Sequence, residues 1–169
     1  MKKLLLVLLF ISLYCFADDA DKYPSVTGFD INRYLGTWYE IARFDHSFQK
    51  DLDKVSAEYS LRDDGGMKVI NRGLNSKTNK WEQAEGKAYF VKTPDIGRLK
   101  VSFFWPFYGA YNIIALDKNN YEWAMITGGK DYLWIIARSP QMPYIIKQQL
   151  IARAKEMGFD TDKLIYDHH

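Results

Sequence analysis

Cysteine is almost missing from the 169-residue chain. Cys15 is the only one, which excludes a disulfide framework within one chain and any centre built from paired thiols. Long apolar runs are missing too. The stretch from Leu4 to Phe16 falls short of the ~20 residues a membrane-spanning helix needs. Preceded by Met1-Lys2-Lys3 and followed by small residues at Cys15 and Ala17, it reads as an export signal cleaved before Asp18. That leaves residues 18–169 as the mature chain, without a thiol. Net charge is the third absence. Losing the first 17 residues removes Lys2 and Lys3 but no acid, so 23 basic residues become 21 against 21 acidic, and the formal charge falls from +2 to zero. A neutral chain without a basic stripe has no electrostatic footprint for nucleic acid. No Pro/Ser/Gly-rich linker, repeat or low-complexity tract divides the remainder, so one domain is expected. Gly128-Gly129-Lys130 lacks the rest of a P-loop, and no Gly-x-Ser-x-Gly elbow occurs.

What is present is a succession of strand-length runs separated by turn signals. Gly36 to Arg43 comes first, followed by a longer polar loop from Phe44 to Lys54. Val55 to Leu61 alternates apolar and polar residues and stops at Asp63-Asp64-Gly65-Gly66, a hairpin turn. Met67–Arg72, Trp81–Val91, Leu99–Phe103, Tyr108–Leu116, Glu122–Thr127 and Tyr132–Arg138 complete eight. After Pro143 the period changes. Ile145, Ile146, Leu150, Ile151 and Ala154 recur at helical spacing until Gly158, which predicts one amphipathic helix packed outside a sheet. Eight antiparallel strands in sequence, closing on themselves, make an up-and-down β-barrel able to hold one small ligand.

Gly36-Thr37-Trp38-Tyr39 at the start of the first strand and Arg138 at the end of the last carry a family resemblance. With Tyr59 to Gly66 and Lys100 to Phe104, they make the chain similar to the lipocalins, closest to bacterial members, from about Gly28 to Tyr166. In the family's second block only Asp117 of Leu116-Asp117-Lys118 carries over. The resemblance implies an all-β calyx with one outer helix, a closed base held by Gly36, Trp38 and Arg138, and an inward Tyr111. It also opens a second reading of the leader, in which Cys15 is the lipidated first residue of a lipoprotein. Bulky Tyr14, where a small residue is expected, speaks against it.

Hairpin order puts Trp38, Arg138 and the turns at 63–66, 93–97 and 117–120 at one end of such a barrel. The mouth is then built from 44–54, 74–80, 104–109 and 128–131. Alternate side chains face inward. Counting back from Arg138 places Ile136 and Trp134 inside, and the apolar faces of the other strands add Tyr59 with Ala57, Val69 with Met67, Phe90 with Ala88, and Phe103 with Val101. Asn71 falls on the Val69 face. An aromatic and apolar interior with few hydrogen-bonding groups suits a long acyl chain with a modest polar head; the plainer alternative is a small solid core. The tip Phe104-Trp105-Pro106-Phe107-Tyr108, with Trp105 and Phe107 foremost, reads either as a contact surface for a membrane or a second copy of the chain, or as a lid on the interior.

No catalytic constellation competes with this. Asp63-Asp64 sits in a Gly-Gly turn, His46 is a lone loop histidine, and His168-His169 reads as a solvated terminal pair rather than a metal site. No nucleophile, metal or cofactor is expected. The expected function is binding, storage or transport of lipids, by resemblance fatty acids or lysophospholipids, in the periplasm or at the outer membrane, for membrane maintenance. The alternatives are an enzyme acting on an isoprenoid or lipid in the same calyx, for which Glu40 is the one inward acid, and a structural envelope protein that associates through its hydrophobic loop.

Overall fold

The computed structural model describes residues 22–169; the leader, its cleavage position and Cys15 lie outside the described residues. A one-turn helix, α1 (Ile31–Tyr34), leads into β1 (Gly36–Phe44). There follow β2 (Leu52–Leu61), β3 (Met67–Asn75), β4 (Lys80–Phe90), β5 (Arg98–Phe104), β6 (Phe107–Leu116), β7 (Trp123–Gly129) and β8 (Tyr132–Ala137). Helix α2 (Tyr144–Glu156) and a short strand, β9 (Leu164–Tyr166), end the fold. Each strand pairs antiparallel with the next, β8 returns to β1, and β1 also pairs β2, so the eight-stranded barrel closes.

Alternation along the strands produces two separate cores. Trp38, Tyr59, Met67, Val69, Ala88, Leu99, Ile126 and Ile136 belong to the interior cluster with Phe29 and Tyr34 from the segment before β1. Their sequence neighbours Leu133, Ile135 and Ala137, with Ile41, Ala42 and Phe44, face outward and are covered by Leu150 and Ala154 of α2 and by Phe159. The helix is thus held by the outer face of β1 and β6–β8, as its apolar period predicted.

Three features had no warning in the strand pattern. Asp30 caps α1, its side chain accepting from Asn32 N at 2.9 Å, and this turn delivers Tyr34 to the barrel floor. At the opposite end β1 and β2 pair only from Gly36 to Tyr39. Beyond that point β9 takes the vacated edge of β1, with Ala42 opposite Tyr166 and Phe44 opposite Leu164. The terminal histidines also correct the sequence reading. His168 is exposed, but the His169 side chain is only 11% exposed; it packs edge-on against Tyr39 at 5.3 Å and its Nε2 lies 2.9 Å from Glu40 O.

At the base, a guanidinium lies over an indole. The Arg138 guanidinium lies 4.1 Å from the Trp38 ring centroid. It donates to the carbonyls of Thr37 at 3.0 Å, Arg33 at 2.7 Å and Tyr121 at 3.3 Å, joining three segments across the barrel's end. Gly36 has φ +93° beside Arg138 Nη1, a backbone conformation that favours glycine. Arg138→Ala should therefore lower stability by on the order of 1–2 kcal/mol through the lost cation–π contact, read as a lower urea midpoint. Arg138→Lys, keeping charge without the planar fork, should fall between. An unchanged midpoint in the alanine variant would remove Arg138 from the scaffold.

Candidate functional site

The inner face is closed below and less buried above. At the floor, Trp38 Nε1 donates to Tyr34 O at 2.8 Å, and the two rings meet at 4.8 Å. The Tyr111 hydroxyl is bonded to two others, Tyr34 Oη at 2.7 Å and Tyr59 Oη at 2.8 Å. Desolvation raises the pKa of all three, that of Tyr59 to about 12, so they are neutral hydroxyls at any physiological pH. Above them the walls become accessible. Ala57, Asn71, Val101, Tyr111 and Trp134 are half-buried, although cross-strand pairing places them on the inner side: Ala57 opposite Asn71, Val101 opposite Ala88, Tyr111 opposite Leu99. At Gly109, on the same face as Val101 and Tyr111, an added Cβ would meet nothing within 4 Å. An open lumen leading down to Tyr111 accounts for all of these.

The mouth end of the lumen is polar in a way that parity alone did not predict. A bulge in β1 between Glu40 and Ala42 turns Ile41 and Ala42 to the outer core and leaves Glu40 opposite Ile136 and Arg43 opposite Trp134, both inside. Arg43 Nη1 bonds Glu40 Oε1 at 2.5 Å, with both side chains 4% exposed. A single 3₁₀ turn, Ser47–Gln49, completes the group. Gln49 Nε2 donates to Glu40 Oε2 at 3.0 Å, Trp134 Nε1 donates to Gln49 Oε1 at 2.9 Å, and Arg43 Nη2 donates to the carbonyls of Gln49 and Leu52. Burial raises the Glu40 pKa against the opposing pull of Arg43 and Gln49. A buried pair of this kind is costly to break from one side, by about 3–5 kcal/mol. Glu40 is thus the inward acid the sequence nominated, but it is engaged by Arg43. Arg43 and Gln49 were missed because nothing in the sequence marks the bulge or the turn.

Of the other expected interior residues, Val69 and Ile136 are buried in the interior cluster and Phe90 lies half-buried against it. Phe103 is outside that cluster and 42% exposed. It falls in the irregular stretch of β5 between Val101 and Phe104, with its ring against Gly86, where a Cβ would come within 2.8 Å of its carbons. The hairpin tip stands in solvent: Phe104, Trp105 and Phe107 are 76%, 73% and 64% exposed. The Phe104 and Phe107 rings stack on each other at 6.4 Å. Phe48 on the Ser47–Gln49 turn and Trp81 near the start of β4 add two more exposed aromatics at this end. His46 stacks on Phe48 at 3.8 Å and lies near Trp134 at 5.2 Å. Asp63-Asp64 behaves as turn chemistry, Asp64 accepting from Gly66 N, Arg62 and Tyr89 Oη.

Where β1 and β2 part, the tail closes the seam. Asp167 accepts from Lys54 N at 2.5 Å and Val55 N at 2.6 Å. Lys54 has φ +53°, and two successive N–H groups in such a bend form an anion-binding nest. Burial first, then the neighbouring Asp53 carboxyl, pushes Asp167 up to about 6. His46 moves the other way: burial first, then Arg43, lowers it to about 4.

These two groups act oppositely on stability. As pH falls from about 6.5 to 4, the unfolded chain takes up a proton at position 46 that the folded chain refuses, so folding weakens. Between about 6 and 4 the folded chain instead holds a proton at Asp167 that the unfolded chain has not yet bound, so folding strengthens. The two contributions oppose each other over that window. His46→Phe should make stability rise as pH falls across that window, and Asp167→Asn should make it fall more steeply than wild type. Denaturation midpoints at pH 4, 5, 6 and 7 read both; parallel slopes in all three proteins would contradict the assignment.

A profile of the lipocalin-like domain family matches residues 29–169. The chain is 56% identical over 142 residues to the outer membrane lipoprotein Blc of Citrobacter freundii, covering 83% of this chain and 80% of that one. It is 50% identical over 142 residues to Blc of Vibrio cholerae, covering 83% of each. In three dimensions it is similar to insecticyanin from the tobacco hornworm Manduca sexta, with a TM-score of 0.69 at 19% identity, covering 86% of this chain and 84% of that one. That last likeness is one of fold. With the family profile running from Phe29 to the last residue and relatives of half or greater identity over most of their length, the chain belongs to the lipocalin family.

Proposed function

We propose that this lipocalin binds and carries small hydrophobic molecules at the outer membrane of the bacterial envelope, and that its ligands are lipids, fatty acids or lysophospholipids, held for membrane maintenance. The observation that carries the reading is the accessibility of inner-face residues above a closed base. Inner-face residues Ala57, Asn71, Val101, Tyr111 and Trp134 are accessible above a floor sealed by Trp38, Tyr34 and Tyr59, and the walls are mostly apolar and aromatic, as an acyl chain requires. Tyr59, Val69, Asn71, Phe90, Phe103, Tyr111, Trp134 and Ile136 are the residues proposed to meet the ligand. Binding without reaction is favoured over catalysis because the inward acid, Glu40, is engaged on one oxygen by Arg43 and on the other by Gln49. Export is proposed for residues 1–17. The relatives' name, outer membrane lipoprotein, supports the second reading of the leader, in which cleavage falls before Cys15 and that residue is kept as a lipid anchor.

Trp134 should report occupancy, since its indole lines the lumen and donates to Gln49. Titration with hexadecanoic acid or a C16 lysophospholipid should change intrinsic fluorescence saturably at one ligand per barrel, and Trp134→Ala should weaken binding without altering the far-UV spectrum. No saturable change, with no lipid retained in native mass spectra, would defeat the carrier reading.

The aromatic rim is proposed to be covered in use, by the membrane surface or by a second copy of the chain. Trp105→Ser/Phe107→Ser should reduce vesicle association or abolish a dimer while leaving lipid affinity in detergent unaltered. If vesicle binding and oligomeric state persist and affinity falls, the tip acts as a lid instead.

A further inference from the structure

The three hydroxyls at the floor of the lumen bring three hydrogens to two contacts, Tyr34–Tyr111 and Tyr59–Tyr111. One hydrogen is left over, and its place is set by burial. Tyr34 is fully buried and Tyr59 is 5% exposed, and each has Tyr111 as its hydroxyl's partner. If either kept the spare hydrogen, a buried O–H would go unmet, at the desolvation cost such groups carry. The low-energy arrangement has Tyr34 and Tyr59 both donating to Tyr111, whose oxygen has two lone pairs to receive them. The Tyr111 O–H is then free, on the one residue of the three that is only half-buried. Accepting two hydrogen bonds also polarises it as a donor.

Resting on the carrier reading, we propose that Tyr111 is the floor donor of the calyx and that it selects ligands bearing a neutral acceptor oxygen at the end that enters first: acyl chains with a keto, aldehyde or hydroxyl group near the tail. The oxygen is neutral because the floor hydroxyls are bonded to one another and Arg138, whose charge is felt by Tyr34 and Tyr59, is held to the base by the carbonyls of Thr37, Arg33 and Tyr121. The wall of this interior includes Leu99, Val101 and Ile113. A carboxylate driven to this floor would be an unpaired buried charge, which is prohibitive. A tail ending in a methyl group leaves the Tyr111 hydrogen unanswered once water is displaced.

The test uses the mature protein with three probes matched in chain length, over a ladder from C12 to C18: the unsubstituted fatty acid, the acid with a keto group one carbon from the tail, and the acid with a terminal hydroxyl. Displacement of a fluorescent fatty acid gives each affinity. At the length that reaches the floor, both oxygenated probes should bind at least about three-fold tighter than the unsubstituted acid, and Tyr111→Phe should bring both ratios to near one. The keto probe can only accept, so a preference for the hydroxyl probe alone would show Tyr111 accepting rather than donating and would overturn the proposal. So would equal affinities at every length, or a preference that survives Tyr111→Phe. Should that variant fail to fold, the comparison of keto and hydroxyl probes in the wild type still decides. Binding of none of the three would defeat the carrier reading itself, an outcome distinct from binding without preference.

Discussion

The barrel depends on the stacking of Arg138 on Trp38. A closed sheet needs its first and last strands to meet, and β1 has to satisfy β8 on one edge and β2 on the other within four residues of its start. Trp38 is fully buried at that point, with its indole N–H bonded to Tyr34 O, so the helix turn before β1, the strand and the floor are one unit. Arg138 then ties the end of β8 to the backbone on both sides of it. The guanidinium suits the position because its planar fork reaches three carbonyls while its face covers an aromatic ring; an ammonium would have to choose between these tasks.

Closure at the base leaves a geometric debt at the other end. Beyond Tyr39, β1 and β2 separate, and the barrel wall would have an edge there with unpaired backbone groups. Two local irregularities resolve it. The bulge at Glu40–Ala42 turns β1, and the bend near Lys54 turns β2. Between them sits the chain's own end, with β9 on the edge of β1 and Asp167 on the freed N–H groups of β2. The same bulge that opens the seam also turns both Glu40 and Arg43 into the lumen, so the wall's geometry and the polarity of the mouth have one cause.

This explains what could be read in advance and what could not. Period-two alternation gave the strands, and the alternation of Trp134 and Ile136 with Leu133 and Ile135 gave the inner and outer cores, because side-chain direction in a regular strand is a matter of counting. Trp38 and Arg138 were legible through family resemblance, and their contact through the chemistry of an aromatic face and a cation. Counting fails wherever the strand is irregular. Parity paired Phe103 with Val101, and its ring lies beside Gly86, the partner of Val69, exposed above the packed interior; Arg43 was invisible because the bulge in β1 changes its face. Tyr34 was beyond reach because its place depends on one helical turn capped by Asp30, too short to leave a periodic trace. His169 looked like a solvated tail because β9 is three residues long and its pairing is decided by a gap in the barrel wall far away in sequence.

The polar groups inside the lumen are arranged so that none presents net charge to a ligand. Arg43 and Glu40 neutralise each other near the mouth, Gln49 and Trp134 are bonded to them or to each other, and the tyrosines at the floor are held neutral by burial. Low dielectric makes any uncompensated charge expensive along this whole path. On the proposed carrier reading, a ligand would bring only its uncharged part inside. A charged head group would stay at the rim, where Phe48, Trp81, Trp105 and Phe107 meet solvent and water still screens it. Recognition of the head would then be a property of the exposed mouth, and recognition of the tail a property of the floor, set by the same segment before β1 that closes the barrel.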